Sequence, residues 1–465
     1  MRVLIIGAGW AGLAAAVEAT RLGHSATVLE AARAIGGRAR ALKVALPNGS
    51  EVTLDNGQHI LIGAYTQTLQ LMRDVGVDID TAVYRLPLTL RYPDSHGLTL
   101  PDWHKPWFAG LDVAVGILQA KGWSLRDKLS LLRAADAWRR AKFSCPVHYS
   151  VAHLCTGITA RVMADMIEPL VVSALNITAD QASAQVFLNV MRDALFAPMA
   201  SQARAAHAPG ALYPDHLPPA GSNMLLPRTD LGALFPQTAQ QWLGAQGVRV
   251  VLGQRIDDLG LLSKEELLEQ DLLGLEGDLA YKYDATIIAT GAVDAARLVR
   301  TLAQPSDVSD AWLRTTQALQ HTAITTVYAH SAALAARTVN LFTTPVMALR
   351  SNAQQPAQFV FDRGALCGQH GVLAFVVSAS QGDAASLEQQ VIAQGKAQLG
   401  LHDLQPLKTI VEKRATFACT PGVQRPAMHV ADGLLACGDY VDGPYPATLE
   451  GAVRSGLAAA RALHV

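Results

Sequence analysis

A short apolar run, Val3-Leu4-Ile5-Ile6, leads directly into Gly7-Ala8-Gly9-Trp10-Ala11-Gly12. A second apolar run ends at Glu30, eighteen residues past Gly12. A strand that enters such a turn and leaves it as a helix is built to hold a dinucleotide. Gly7 permits the sharp turn, Gly9 lets the backbone approach a pyrophosphate, and Gly12 lets the helix pack closely on the sheet. The helix start points unpaired N–H groups and the positive end of its dipole at the phosphates. Glu30 is placed to accept hydrogen bonds from a ribose hydroxyl. Its charge repels a 2′-phosphate, which favours FAD or NAD over NADP.

A chain of 465 residues is long enough for two domains. Half of its residues are hydrophobic and the mean hydropathy is +0.19, yet no stretch is long and apolar enough to cross a bilayer. The net charge of −1 leaves no reason to expect nucleic acid as a partner. Five cysteines (Cys145, Cys155, Cys367, Cys419, Cys437) lack CxxC spacing and read as reduced thiols, not as metal ligands or disulfides. Residues 1–16 imitate a secretory leader, but cleavage would destroy the glycine turn. The cytoplasm is the expected compartment.

Residues 1–76 read as strand, turn, helix and strand, followed by Gly36-Gly37-Arg38 and Asp55-Asn56-Gly57-Gln58-His59. The character changes over residues 77–223, which hold most of the tryptophans, helix-like stretches at 125–142 and 160–195, and an aperiodic segment at 196–223. Nucleotide-domain character returns at 224–293, with a strand at 248–251 and a buried strand at 285–291. A second insertion occupies 294–408, with strand-like runs at 323–329, 358–361 and 372–378. Residues 409–465 rejoin the first block. The expected architecture is an α/β, Rossmann-like FAD-binding domain of 1–76, 224–293 and 409–465. A substrate domain of 77–223 and 294–408 is inserted into it.

Two further motifs sharpen the choice of cofactor. Paired Gly36 and Gly37 let a loop lie against a nucleotide, and Arg38 can neutralise phosphate charge. Near the C-terminus, an apolar run delivers Gly438 and Asp439 to the edge of a sheet, and a helix is expected to begin near Ala447. Asp439 is placed to bind the ribityl or phosphate region of a flavin. The helix start, at Thr448 and Leu449, would face the pyrimidine edge of the ring, where reduced flavin carries negative charge. An extended FAD molecule needs this second site; NAD does not.

These motifs, with Leu449-Glu450-Gly451-Ala452-Val453 and Ser455-Gly456, resemble the flavin amine oxidase and phytoene desaturase superfamily. Within it, residues 55–65 (Asp-Asn-Gly-Gln-His-Ile-Leu-Ile-Gly-Ala-Tyr) resemble the squalene-associated branch, the hydroxysqualene dehydroxylases of hopanoid synthesis. The resemblance implies an amine oxidase-like fold with an α+β substrate domain. It implies FAD contacts from Gly7, Gly9, Gly12, Glu30, Gly36, Gly37, Arg38, Gly438, Asp439, Thr448 and Leu449, with Val250 or Val251 meeting the adenine through the backbone. Amine oxidases usually place an aromatic residue where the last helix meets the flavin; Thr448 and Leu449 stand there in this chain.

The resemblance also implies reductive removal of an allylic hydroxyl from an isoprenoid alcohol, giving squalene. Such a reaction needs an acid for the leaving hydroxyl, a hydride donor and a long, dry, apolar cavity. Asp55, His59, Asp442 and Tyr445 are the candidate acids. An isoprenoid substrate must come from a membrane, with handover from squalene-pathway synthases. Peripheral contact with the inner leaflet is therefore expected, through residues 103–108 and the basic stretch 121–142. Three alternatives stay open: a carotenoid-type desaturase, a flavin amine oxidase, and a prenyl-lipid escort protein without flavin chemistry.

Overall fold

The structure is a computed structural model that describes residues 1–46, 49–103, 110–196, 220–259, 283–337 and 342–464. Its centre is a six-stranded sheet in the order Arg249–Leu252, Ser25–Glu30, Arg2–Ile6, Ala285–Ile288, Leu434–Ala436, His429–Ala431. The first five strands run parallel and the last is antiparallel. Ile5 lies between Val28 and Ile287, and all three are fully buried. A parallel sheet covered on both faces demands such continuous apolar runs.

The Trp10–Arg21 helix follows the first strand and packs along the Leu449–Arg461 helix at the far end of the chain. Gly456 makes the close approach possible, since a methyl there would stand 2.2 Å from the Ala11 carbonyl oxygen.

A second sheet is antiparallel, in the order Val346–Ala348, Phe359–Asp362, Val372–Ser380, His321–His330, Gln405–Phe417. Alternation splits its side chains. Val327, Val360, Leu373 and Phe375 pack under the Ala384–Leu399 helix. Tyr328, Phe359, Phe361 and Val376 face the main core.

Two sequence expectations need correction. The boundary at 408/409 falls inside the Gln405–Phe417 strand, and the chain returns to the first sheet only at His429. That strand is an edge, half-exposed along much of its length, so its mixed polar pattern hides its membership of the second sheet. The stretch 160–195 is not one helix. Glu168–Leu175 ends at Asn176, which adopts φ 55°, and a new helix starts at Ala184–Met191. Asn176 Nδ2 reaches Thr322 Oγ1 at 2.9 Å and Thr416 Oγ1 at 3.0 Å, tying the break to the second sheet. Residues 104–108 of the expected membrane segment, and 197–219 of the aperiodic segment, lie outside the described residues.

Candidate functional site

The glycine turn closes as its residue types require. Gly7 has φ 114° and donates its N–H to Leu29 O at 2.7 Å; a methyl there would stand 2.8 Å from Ala289 O. A methyl on Gly12 would come within 1.9 Å of Gly7 O. Gly9 starts the helix without a side-chain cap, leaving first-turn amides for a phosphate. Gly36 N donates to Ala8 O at 2.9 Å, which brings Gly37 over Gly9. A methyl on Gly9 would have Gly37 Cα, at 3.9 Å, as its nearest neighbour. The two glycines thus line a narrow backbone-walled cradle.

Glu30 has a structural task in addition to the one its position suggests. Oε2 accepts from Ala8 N and Oε1 from Ala32 N, both at 2.8 Å, so the carboxylate braces the turn. Each oxygen keeps a second lone pair for a ribose. Val250 and Val251 lie beside Val28 and Leu29 on the edge strand, and Gln254 N donates to Glu30 O at 2.9 Å.

The two ends of the chain meet at Arg38. Its guanidinium forms an ion pair with Asp439 and donates from Nη1 to Ala415 O at 2.6 Å. Asp439 holds the Arg38 guanidinium firmly protonated. Next to this pair, the fully enclosed Tyr440 hydroxyl has no hydrogen-bond partner among the described residues. Gly438 N donates to Ser455 Oγ at 3.0 Å, fastening the strand end to the last helix. Thr448 caps that helix by accepting from Gly451 N at 3.0 Å, and Leu449 opens it. A glycine-walled cradle, an uncapped helix start, an orphaned buried hydroxyl and a cation–anion pair suit a long, doubly charged cofactor such as FAD.

The four candidate acids fall in different places. Asp55 is buried, accepts from Leu231 N at 2.7 Å through Oδ1, and faces Arg363 Nη1 at 3.3 Å through Oδ2. Arg363 also donates to Gln58 Oε1 at 2.8 Å. Burial pushes the Asp55 carboxyl up to about 6 despite Arg363. Held by Leu231 N on one oxygen and by Arg363 on the other, Asp55 braces the segment that carries Gln58 and His59. Asp442 is corrected outright: its side chain is 69% exposed and paired with Arg425 at 2.9 Å, so it does not belong to a dry cavity.

Tyr445 adopts φ 58° and donates its hydroxyl to Asp193 Oδ2 at 2.8 Å. Burial and Asp193 both raise its pKa, so it holds its proton tightly. Its ring meets Tyr65 edge-on at 6.2 Å. Aromatic rings therefore do stand close to Thr448, although Thr448 and Leu449 supply none themselves; Tyr65 comes from the other end of the chain.

His59 is the remaining candidate. Nδ1 lies 2.7 Å from Gly57 O, which fixes the proton there and leaves Nε2 as the available nitrogen. Burial, opposed by the Gly57 contact and reinforced by Arg38, lowers its pKa. A methyl on Gly57 would be 3.7 Å from both His59 Cε1 and Thr326 Oγ1. Thr326 is buried on the core-facing side of the second sheet, and its hydroxyl has no partner among the described residues. Sequence reasoning missed Thr326, Gln58 and Arg363. A threonine in a strand is ordinary, and Arg363 meets Asp55 from 308 residues away.

A profile of the "Flavin containing amine oxidoreductase" family matches residues 10–330. Hydroxysqualene dehydroxylase of Zymomonas mobilis subsp. mobilis is 23% identical, with 98% of this chain and 97% of that protein aligned. The protein of the same name from Sinorhizobium fredii is 24% identical over 66% of this chain and 65% of its own length. Among solved structures, an oxidoreductase from Methanosarcina mazei superposes with a TM-score of 0.66 at 14% identity, covering 98% of this chain and 99% of that one.

Proposed function

The chain belongs to the flavin containing amine oxidoreductase family and is an FAD-dependent oxidoreductase, and from that premise we propose that it reductively removes the hydroxyl of hydroxysqualene to give squalene. The observation that carries this reading is the alignment, over almost the whole of both chains, with the Zymomonas protein of that name. The chemistry of the site agrees with it. In the net reaction a carbon gains a hydride, its C–O bond breaks, and the hydroxyl departs as water with one proton. When bound and reduced, FAD supplies a hydride from N5.

The chain's own residues supply the rest. The hydroxyl is assigned to the neighbourhood of Gly57, where the His59 ring and the unpartnered Thr326 Oγ1 both approach. Thr326 orients the hydroxyl. Protonated His59 is a stronger acid than an ordinary histidine because its pKa is depressed, and it gives its proton readily to a departing oxygen. Phe359, Phe361 and Val376 share the sheet face of Thr326 and are buried in the main core, so apolar residues and not water adjoin the proposed hydroxyl position. The substrate arrives by handover from squalene-pathway synthases.

The test is anaerobic incubation of the reduced holoenzyme with hydroxysqualene, followed by mass spectrometry of the lipids. Squalene is expected. Unchanged hydroxysqualene, together with desaturation of a carotenoid precursor by the oxidised enzyme, would replace this reading with the desaturase one. His59→Ala should retain FAD and lose turnover. Survival of turnover in that variant removes His59 from the proposal.

A further inference from the structure

The hairpin formed by the Leu111–Gln119 and Leu125–Arg140 helices contains none of the residues assigned above to the cofactor or to the acid. We propose that this hairpin docks the protein on an anionic lipid bilayer. Leu118, Leu125 and Leu129 would enter the headgroup layer, with Arg126 and Arg133 on the lipid phosphates. The inference goes beyond the redox reading and stands on the surface chemistry alone.

The geometry of the longer helix separates its two sides. Leu131 and Trp138, seven residues apart, are buried and mark its inward line. Leu125 and Leu129 lie on the opposite side at about 100° per residue, and they are 77% and 47% exposed. Leu118, at the end of the preceding helix, is 54% exposed. Lys128 Nζ donates to the Leu118 carbonyl at 2.7 Å, which holds the three leucines on one corner of the molecule. Single exposed leucines are ordinary, but three on one corner with a cationic border are the composition of an interfacial helix.

The charge around this corner points to the partner. Residues 121–142 contain seven Lys or Arg and two Asp, a net of +5 in a chain whose total is −1. Both acids are engaged. Asp127 accepts from Ser124 N at 2.8 Å and from Thr159 Oγ1 at 2.6 Å, and Asp136 pairs with Arg140 at 2.7 Å. Arg126 and Arg133 are exposed, seven residues apart on the leucine side. A flat anionic surface that also accepts apolar side chains is a lipid leaflet, and basic residues there are attracted to its phosphates.

The experiment is flotation of the full-length, FAD-loaded protein with vesicles of phosphatidylcholine, with and without phosphatidylglycerol. The protein should float with the anionic vesicles and much less with the neutral ones. Leu125→Ser with Leu129→Ser, and separately Arg126→Glu with Arg133→Glu, should each cut the vesicle-bound fraction about tenfold or more. FAD content and unfolding temperature should stay the same, since neither pair touches the core or the cofactor cradle. No flotation with anionic vesicles, or either double variant floating like the parent, overturns the proposal. So does a dimer that only the leucine variant dissociates while the parent ignores vesicles, since the corner would then join two copies of the chain. No substrate is present, so the outcome is independent of which lipid the enzyme reduces.

Discussion

Replacing Gly456 with alanine tests whether the two helices that frame the cofactor must touch. The added methyl would stand 2.2 Å from Ala11 O, 3.0 Å from Ala15 N and 3.1 Å from Ala11 C. All three neighbours are backbone of the Trp10–Arg21 helix, so none can rotate away. Ordinary carbon contacts lie at about 3.5–4.0 Å, so the helices must separate by roughly 1 Å. Overpacking of this kind costs about 1–3 kcal/mol. Gly→Ala inside a helix returns about 1 kcal/mol of propensity. The expected net is a loss of at most roughly 2 kcal/mol, which in a chain of this size lowers the unfolding temperature by no more than about 2 °C.

The sharper readout is the cofactor: if both helix starts face it, a shift of either one changes its seat. FAD affinity should fall by about tenfold, as for other groups displaced by about 1 Å from a preorganised position. Gly244 is the control: it is exposed in the Pro236–Ala245 helix, and a methyl there meets nothing within 4 Å. Gly244→Ala should stabilise the apoprotein by up to about 1 kcal/mol and leave FAD binding alone. Thermal unfolding of the apoprotein and fluorescence titration with FAD measure both effects. If Gly456→Ala matches Gly244→Ala in both assays, the tight helix contact does not organise the site.

Arg38→Gln removes one side of the ion pair with Asp439 and a charge for phosphate, so the FAD dissociation constant should rise by roughly 30-fold or more in the same titration. Asp55 has a folded pKa of about 6 against 3.8 unfolded, so its ionisation opposes folding. Its contribution is fully present in acid and is lost as pH rises through 6, a decline of roughly 3 kcal/mol in unfolding free energy. Chemical denaturation over about pH 3–7, which spans both values, should show this slope in the parent and a shallower one in Asp55→Asn. Asp442→Asn breaks only a surface pair, so steady-state turnover should match the parent. If His59 is the acid, turnover should fall as pH rises through its lowered pKa, and a pH–rate profile that increases with pH would contradict that role.

The glycine turn is legible in the sequence because its rules are local. Gly7, Gly9, Gly12 and Glu30 lie within one strand–turn–helix–strand unit, and each residue type answers a demand of backbone or phosphate geometry. Arg38 and Asp439 were each recognisable, but their meeting was not, because no periodicity reports a contact across 401 residues. The same limit explains Asp55. Its place in a distinctive motif suggests chemistry, whereas Arg363 and Leu231, which occupy its oxygens, enter from remote segments. The Gln405–Phe417 strand was misassigned because an edge strand needs apolar residues on little of its surface. Tyr65 carries no signal of its own in the sequence, since only the folded chain sets its ring against Tyr445.

The contact between the first and last helices also orders events at the ribosome. Arg21 ends one helix and Leu449 begins the other, so the nascent chain must wait for more than 400 residues before Ala11 and Ala15 find their cover. At about 5–20 residues per second that interval is roughly 20–90 s. During it the apolar flank of the opening βαβ unit has no final neighbour, which makes it a natural client for a holding chaperone. A polypeptide released just before Leu449 would hold all the described strands and no seal over the first one. Quality control would recognise that missing seal, since almost everything else would already be in place.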